Sequence, residues 1–291
     1  MELTIFTPTY NRRKLLERLY NSLLQQTDTG FEWLIVDDGS TDDTEDFIKS
    51  LPETPFKLKY IKSKNAGKHI AINTGAKNAE GEWFFVVDSD DYLTSDAVVK
   101  LKGWIDEVRD LKGFAGFCTN RIYEDGTQSG RKVEYDRLDT DFVSYWNVYH
   151  YNGDHPSCLR TEIWRQYQFP EYEGEKFCNE ALVLRRMSDN YTCRYINDSV
   201  YITDGYLEGG LTQNLRDRLK KSPSYAALVN KEQIHYVNTL KSRLATMYNY
   251  WRYYKLVPNP GPELKPTTQM RYLWYPVYLS IRMVAKLMGK C

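Results

Sequence analysis

Short apolar runs alternate with longer stretches of helical spacing over the first hundred or so residues. Leu3-Thr4-Ile5-Phe6 reads as a strand and Thr7 to Asn11 as the loop that leaves it. Leu15, Leu16, Leu19, Leu23 and Leu24 recur at helical spacing, so Arg12 to Gln26 is expected to be an amphipathic helix. Phe31 to Val36 is a second strand, running into Asp37-Asp38-Gly39-Ser40. Ser40 or Thr41 caps the next helix, with Asp42, Asp43 and Glu45 near its positive end. Phe56 to Ile61 is a third strand, Asn65 to Ala79 contains another helix, and Trp83 to Val87 is a fourth strand. Thr94 or Ser95 then caps a helix reaching Val108. This order predicts an α/β fold, a Rossmann-like and mainly parallel sheet with helices on both faces.

From Gly113 the pattern loosens. Phe114 to Cys118 reads as a strand, Glu124-Asp125-Gly126 as a hairpin turn, and Glu162 to Gln168 as a short helix ended by Pro170. Glu180 to Met187 is helical, Thr192 to Tyr201 returns to strand, and Gly209-Gly210 makes a flexible loop. After Leu215 the chain turns basic and Tyr-rich, and Arg216 to Tyr254 is predicted as helix. Pro258, Pro260, Pro262 and Pro266 mark a break before the aromatic and aliphatic segment Tyr272 to Met288. The expected division is a domain over residues 1–214, with halves 1–112 and 113–214, and a helical extension over 215–291.

The 291 residues carry 39 basic and 39 acidic side chains, so net charge names no partner, but its distribution does. Residues 215–291 hold 14 Lys/Arg against 3 Asp/Glu, and residues 1–214 hold 25 against 36. A basic region of this kind faces an acidic partner. The five cysteines, Cys118, Cys158, Cys178, Cys193 and Cys291, form no paired ligand motif, and the odd count fits a reducing compartment, hence cytosol. The chain enters a strand at Met1-Glu2-Leu3-Thr4, from which no leader sequence is expected. No apolar run reaches the ~20 residues that span a bilayer.

The chemistry gathers at Phe84 to Tyr92, where Phe84-Phe85-Val86-Val87 runs straight into Asp88, Asp90 and Asp91. The carboxylates fall at the carboxyl end of a strand, where open α/β sheets bind ligands. Like charges this close need compensation, and a hard divalent cation, Mn²⁺ or Mg²⁺, prefers such oxygen ligands. The plainer alternative is a solvated acidic turn ahead of the next helix. No Gly-x-Gly-x-x-Gly follows the first strand and no Gly-Lys-Ser/Thr phosphate loop is present, which disfavours dinucleotide-binding and P-loop chemistry.

Four motifs occur in order: Thr7-Pro8-Thr9-Tyr10-Asn11; Val36-Asp37-Asp38-Gly39-Ser40-Thr41-Asp42; Asn65 with Gly67, Lys68, Ala71, Asn73 and Gly75; and Asp88-Ser89-Asp90-Asp91. Together they resemble the nucleotide-sugar half of a family 2 inverting glycosyltransferase of the GT-A fold, and the resemblance extends over roughly residues 1–215. It implies that Pro8, Thr9 and Tyr10 lie along the nucleobase, that Asp38 accepts the imide N–H of uracil, and that Lys68 reaches the base or the diphosphate. It places Asp88 and Ser89 at the ribose, with Asp90 and Asp91 facing the metal. The direct ligand among the three aspartates stays open. Asp37 and Asp42 have a capping reading, and Asn73 a structural one. The resemblance further implies an acidic base at the start of a helix after the acceptor-binding strands. Gly174 to Leu182 is similar to that segment, with Glu180 as the base and Glu175 in reserve. Arg185 and Arg186 follow on the same helix, where one can steady the diphosphate, although surface arginines are the commoner case. Asp154-His155 can line the acceptor site, although a lone His is more often structural, and Gly209-Gly210-Leu211-Thr212 resembles a closing loop.

The implied activity is metal-dependent transfer from a UDP-sugar to a glycan acceptor, lipid-linked, in bacterial surface polysaccharide synthesis. The basic, aromatic extension has no nucleic-acid module. It is read as a peripheral contact with the inner face of the cell membrane, against the alternative of packing on the catalytic domain or on a second copy. Two other classes compete: a sugar nucleotidyltransferase, whose Gly-rich basic loop after the first strand is missing here, and a non-catalytic scaffold that retained the fold.

Overall fold

The computed structural model describes residues 1–151, 155–205 and 214–287. The strands are β1 (Leu3–Thr9), β2 (Phe31–Asp37), β3 (Lys57–Lys62), β4 (Trp83–Val86), β5 (Tyr92–Leu93), β6 (Phe114–Cys118), β7 (Arg121–Ile122), β8 (Arg137–Thr140), β9 (Ser157–Arg160), β10 (Thr192–Ile196) and β11 (Tyr201–Ile202). The helices are α1 (Arg13–Leu24), α2 (Thr44–Ser50), α3 (Lys68–Asn78), α4 (Ala97–Val108), α5 (Phe142–Asn147), α6 (Thr161–Gln166), α7 (Ala181–Ser188), α8 (Leu215–Lys221), α9 (Pro223–Gln233), α10 (Leu240–Tyr254) and α11 (Tyr275–Leu287), the last entered through a π-helical turn over Met270–Trp274. The chain divides into two compact units, Met1–Pro170 with Val183–Gly210, and Glu171–Leu182 with Leu211–Cys291. The short segment Glu171–Leu182 therefore groups with the C-terminal helices, although it lies well before residue 214.

In the first unit an eight-stranded sheet runs in the order β3-β2-β1-β4-β9-β6-β10-β8. The β3-β2-β1-β4 half is wholly parallel, and β9 enters antiparallel between β4 and β6. Every residue of β1 and β2 is buried, as a parallel strand covered on both faces requires. Leu3, Ile5, Trp33, Ile35 and Phe85 pack with Leu16, Leu19 and Leu23 of α1 and with Val98, Leu101 and Ile105 of α4. Alternation turns Phe6 to the opposite side, where it stacks on Phe84 at 4.7 Å and meets α3 at Gly75. A Cβ on Gly75 would lie 2.3 Å from the Phe6 ring, so the missing side chain is what lets α3 approach β1.

The short strands β5, β7, β8 and β9 have no counterpart in the hydrophobic pattern. Each is two to four residues long and is held by neighbours distant in the chain. The single strand expected over Thr192 to Tyr201 is two strands in two sheets. Between them Ser199 donates its hydroxyl to the Asn120 carbonyl at 2.7 Å and turns the chain toward a three-stranded sheet, β5-β11-β7. On β6, Gly116 has φ 153°, and a Cβ there would stand 2.1 Å from the Cys158 carbonyl of β9. The pairing register with β10 slips at this point, so the glycine carries a bulge that other residues would obstruct.

In the second unit the long helix expected over Arg216 to Tyr254 is three. Pro223 has no N–H to continue α8, and it occupies the first turn of α9 instead. Thr239 caps α10 by accepting the Ser242 N–H at 3.1 Å. Ala226 and Ala227 of α9 pack on Met247, Tyr250 and Trp251 of α10, and Met270 and Tyr278 join them. Among the described residues no helix is long and apolar enough to cross a membrane.

Candidate active site

The sheet order places β2 and β3 on one side of β1 and β4 on the other. The direction of winding reverses between β1 and β4, and open α/β sheets bind ligands beyond the carboxyl ends of their strands at such a point. Both principal sequence motifs lie at these ends: Asp88 to Asp91 follow β4, and of Thr7 to Asn11, expected as a loop, Thr7 to Thr9 complete β1 and only Tyr10 and Asn11 follow it. Pairing of β1 with β4 ends at Phe6 and Val86, so Pro8 lies beyond it and costs no ladder bond on that side. Pro8 and Thr9 are buried, and the Thr9 carbonyl accepts the Asp38 N–H at 2.8 Å. Tyr10 is 46 % exposed, leaving its ring open for stacking. Asn11 takes the left-handed conformation, φ 53°, and its side chain accepts the Thr41 N–H at 2.8 Å, tying this loop to the acidic loop after β2.

Asp38 acts first as a clamp. Its two oxygens accept the N–H groups of Ala66 and Gly67 at 2.7 and 2.8 Å. The clamp fixes Gly67, at φ 100°, as the residue that opens α3, and thereby sets the position of Lys68. The Lys68 ammonium lies 2.6 Å from Asp88 Oδ1. Asp37 accepts the Ser40 N–H and the Tyr60 hydroxyl, each at 2.7 Å, and Asp42 accepts the Thr44 hydroxyl at 2.6 Å; both are structural. Asn73 exchanges two hydrogen bonds with the Phe169 backbone, at 2.9 and 3.0 Å, and is structural too.

Carboxylate oxygens of Asp88, Asp90 and Asp91 lie within 4.8 Å of one another. Asp91 is buried and ion-paired to Arg121, while Asp88 pairs with Lys68. Burial pushes the Asp88 carboxyl up, but the charges of Lys68 and Arg121 outweigh it and hold the group below the usual carboxylate range. For Asp91 burial wins, and its pKa is raised in spite of Arg121. The Asp90 carboxylate makes no ion pair or hydrogen bond with another described residue, and Ser89 beside it is buried. The Asp88 N–H donates to the Tyr201 hydroxyl at 2.9 Å, which anchors the acidic loop on β11.

Arg121 and Arg18 were not foreseen from the sequence. Arg121 is brought to Asp91 by the small sheet, since β7 starts at Arg121 and β5 starts directly after Asp91. Arg18, on α1, donates to the Asp90 carbonyl at 2.6 Å, pairs with Asp204, and lies over the Tyr92 ring at 4.5 Å. An open cleft lined by Tyr123, Glu124, Asp125, Thr203 and Asp204 adjoins this clamp. The one sequence signal for either arginine was the unbalanced charge of the aspartates. Arg18→Met keeps an aliphatic stem and removes the donor to Asp90. For the donor nucleotide and ion that the sequence resemblance implies, UDP and Mn²⁺, binding is expected to weaken by about tenfold, as when a group behind a metal ligand is removed. Calorimetry at matched Mn²⁺ checks this, and an unchanged affinity would show that the clamp does not position Asp90.

The acidic residues of the Gly174 to Leu182 segment have separate roles. Glu175 spends both oxygens on the N–H groups that open α9, Ser224 at 3.0 and 2.9 Å and Tyr225 at 3.2 Å, which removes it from reserve as a base. Glu180 is half-buried and directly precedes α7, whose first N–H is capped by Asn179 at 2.8 Å. Arg185 and Arg186 lie in the last turn of α7. His155 is wedged among aromatics, with Nε2 3.1 Å from the Tyr145 hydroxyl and Nδ1 3.3 Å from the Thr119 carbonyl. Asp154 and Gly209 to Thr212 lie outside the described residues.

The architecture is that of GT-A nucleotide-sugar transferases. Residues 4–164 match the model of Glycosyl transferase family 2, and the chain belongs to that family. Among curated relatives it is 36% identical over 100 residues to the glycosyltransferase GlyA of Streptococcus pneumoniae, covering 34% of this chain and 14% of that protein. It is also 36% identical over 110 residues to the poly(ribitol-phosphate) beta-N-acetylglucosaminyltransferase TarS of Staphylococcus aureus, covering 37% of this chain and 19% of that one. The matched stretch thus spans less than a fifth of either relative. Residues 1–349 of TarS in complex with UDP-GlcNAc superpose with a TM-score of 0.59 at 19% identity, covering 89% of this chain and 82% of that one. The mannosyltransferase PcManGT of Pyrobaculum calidifontis, in complex with GDP-Man and Mn²⁺, superposes with a TM-score of 0.54 at 16% identity, covering 100% and 88%. At such identities the structural likeness speaks for the fold.

Proposed function

We propose that this chain is a metal-dependent inverting glycosyltransferase. It moves a sugar from a nucleotide-diphosphate donor, a UDP-sugar in preference, to a hydroxyl of a glycan acceptor. The observation that carries this reading is the cluster beyond the carboxyl end of β4, where Asp88, Asp90, Asp91 and Lys68 converge. Tyr10 offers its exposed ring to the nucleobase, and Asp38, whose N–H is joined to the Thr9 carbonyl next to it, accepts an imide N–H. Lys68 and Asp88, already paired, bind the diphosphate and ribose side by side.

The all-oxygen donor set fits a hard divalent cation, Mn²⁺ or Mg²⁺. Asp90, the carboxylate of the three without an ion pair among described residues, would hold it, with Asp91 behind it. Such an ion, when bound, acts as a Lewis acid on diphosphate oxygens and stabilises charge on the leaving nucleotide. Glu180 accepts the proton of the attacking hydroxyl, which displaces the diphosphate from the opposite face of the sugar. An α-linked UDP-hexose would then yield a β-glycoside.

The setting that fits the basic extension is assembly of a bacterial surface polysaccharide on a lipid carrier. The protein would work as a peripheral protein at the cytoplasmic face of the cell membrane, held there through residues 215–291. Calorimetric titration with UDP, GDP, CDP and TDP, with and without Mn²⁺, tests the donor site. Tight, Mn²⁺-dependent binding of UDP is expected; binding of none would sink the reading.

A further inference from the structure

The second unit ends in a helix that is apolar on two opposite sides. One side of α11 is used: Tyr275 meets Trp251 at 4.5 Å, Tyr278 meets Tyr248 at 5.4 Å, and both belong with the α9–α10 core. The other side is bare. Tyr272 is 80 % exposed, Leu273 54 %, Leu279 45 %, Met283 64 %, Val284 51 % and Leu287 81 %. Tyr272, Leu279, Met283 and Leu287 recur at helical spacing, so they form one stripe, and Leu273 and Val284 widen it. A contiguous exposed apolar face of this kind marks an interaction surface.

The charges around it say what covers it. Arg271 and Arg282 are exposed on the same segment, and Lys255 sits over the Tyr275 and Tyr278 rings at 5.0 and 4.8 Å. No Asp or Glu occurs after Glu263. Arg282 donates to the Tyr278 hydroxyl at 3.4 Å, so the arginines flank the stripe on its tyrosine side, and two copies pairing through this face would bring together segments that carry cations and no carboxylate. An anionic lipid surface answers both features, taking apolar side chains into the acyl boundary and cations at the headgroups.

We infer that α11 docks on anionic phospholipid, lying in the plane of the interface with Leu279, Met283, Val284 and Leu287 inserted and Arg271 and Arg282 at headgroup level. This names the helix and the lipid class for the peripheral-membrane reading above, on which it rests. The helix is too short and too fully packed on its tyrosine side to span a bilayer.

Co-sedimentation of the full chain with vesicles of phosphatidylglycerol in phosphatidylcholine, and of phosphatidylcholine alone, tests it. The chain should pellet with the anionic vesicles only. The double variant Met283→Glu/Leu287→Glu should lower the partition coefficient by at least about tenfold, because it sets two charges in the inserted stripe. Its melting temperature and Mn²⁺-dependent UDP affinity should stay those of the parent chain. Arg271→Glu/Arg282→Glu should abolish the preference for anionic vesicles. Failure of the parent chain to bind anionic vesicles, or binding unaffected by both double variants, overturns the inference. A parent dimer that Met283→Glu/Leu287→Glu converts to monomer in light scattering assigns the face to a second copy and overturns it as well. Because UDP affinity is read on the same samples, loss of the donor site would appear separately from loss of membrane binding.

Discussion

Asp90→Asn is expected to lower Mn²⁺-dependent UDP affinity by about a hundredfold, since an amide replaces a charged oxygen ligand of a hard cation. The effect should differ from that of the other two aspartates in one respect: it should vanish when Mn²⁺ is omitted. Asp88 and Asp91 have structural partners in Lys68 and Arg121, so replacing either breaks an ion pair and disturbs the loop itself. Asp90 has no such partner among the described residues, and its substitution should leave the melting temperature unchanged. Calorimetric titration with UDP, with and without Mn²⁺, together with thermal melts, separates these outcomes. Equal affinity of parent and variant in Mn²⁺ would remove Asp90 from the metal site.

Glu180→Gln should have the opposite signature. The amide is isosteric but cannot accept a proton, so transfer should fall by roughly a thousandfold while UDP affinity is retained. The assay is sugar transfer to the glycan acceptor beside UDP titration of the same sample. Transfer at the parental rate would show that Glu180 is not the base. Glu175→Gln makes a useful contrast, because Glu175 caps α9 and its loss should appear as lowered thermal stability.

The contrast between these two glutamates shows where reading of the sequence reached its limit. Both are acidic residues of one short segment, and composition and spacing do not distinguish them. Folding does, by carrying the Ser224 and Tyr225 amides to Glu175 from 49 and 50 residues away. Asp38 follows the same logic. The acidic loop was visible after β2, but its clamp on Ala66 and Gly67, which positions Lys68, spans 28 and 29 residues.

The sequence by itself determined the parallel half of the sheet, because β1, β2 and β4 are apolar runs separated by helices, and burial on both faces writes that pattern directly into composition, while β3, at the sheet's edge, is half exposed and alternates with lysines. It also placed Asp88 to Asp91 at the end of β4, since a motif at the end of a strand stays at the end of that strand wherever the strand is placed. Only the tertiary structure decided how three adjacent carboxylates are tolerated. Arg121 reaches Asp91 through a sheet of two-residue strands, and Arg18 bridges the Asp90 carbonyl to Asp204, 186 residues along the chain from itself. Strands so short have no periodicity of their own. They exist because their partners do, and charge compensation by side chains far apart in sequence leaves no local trace.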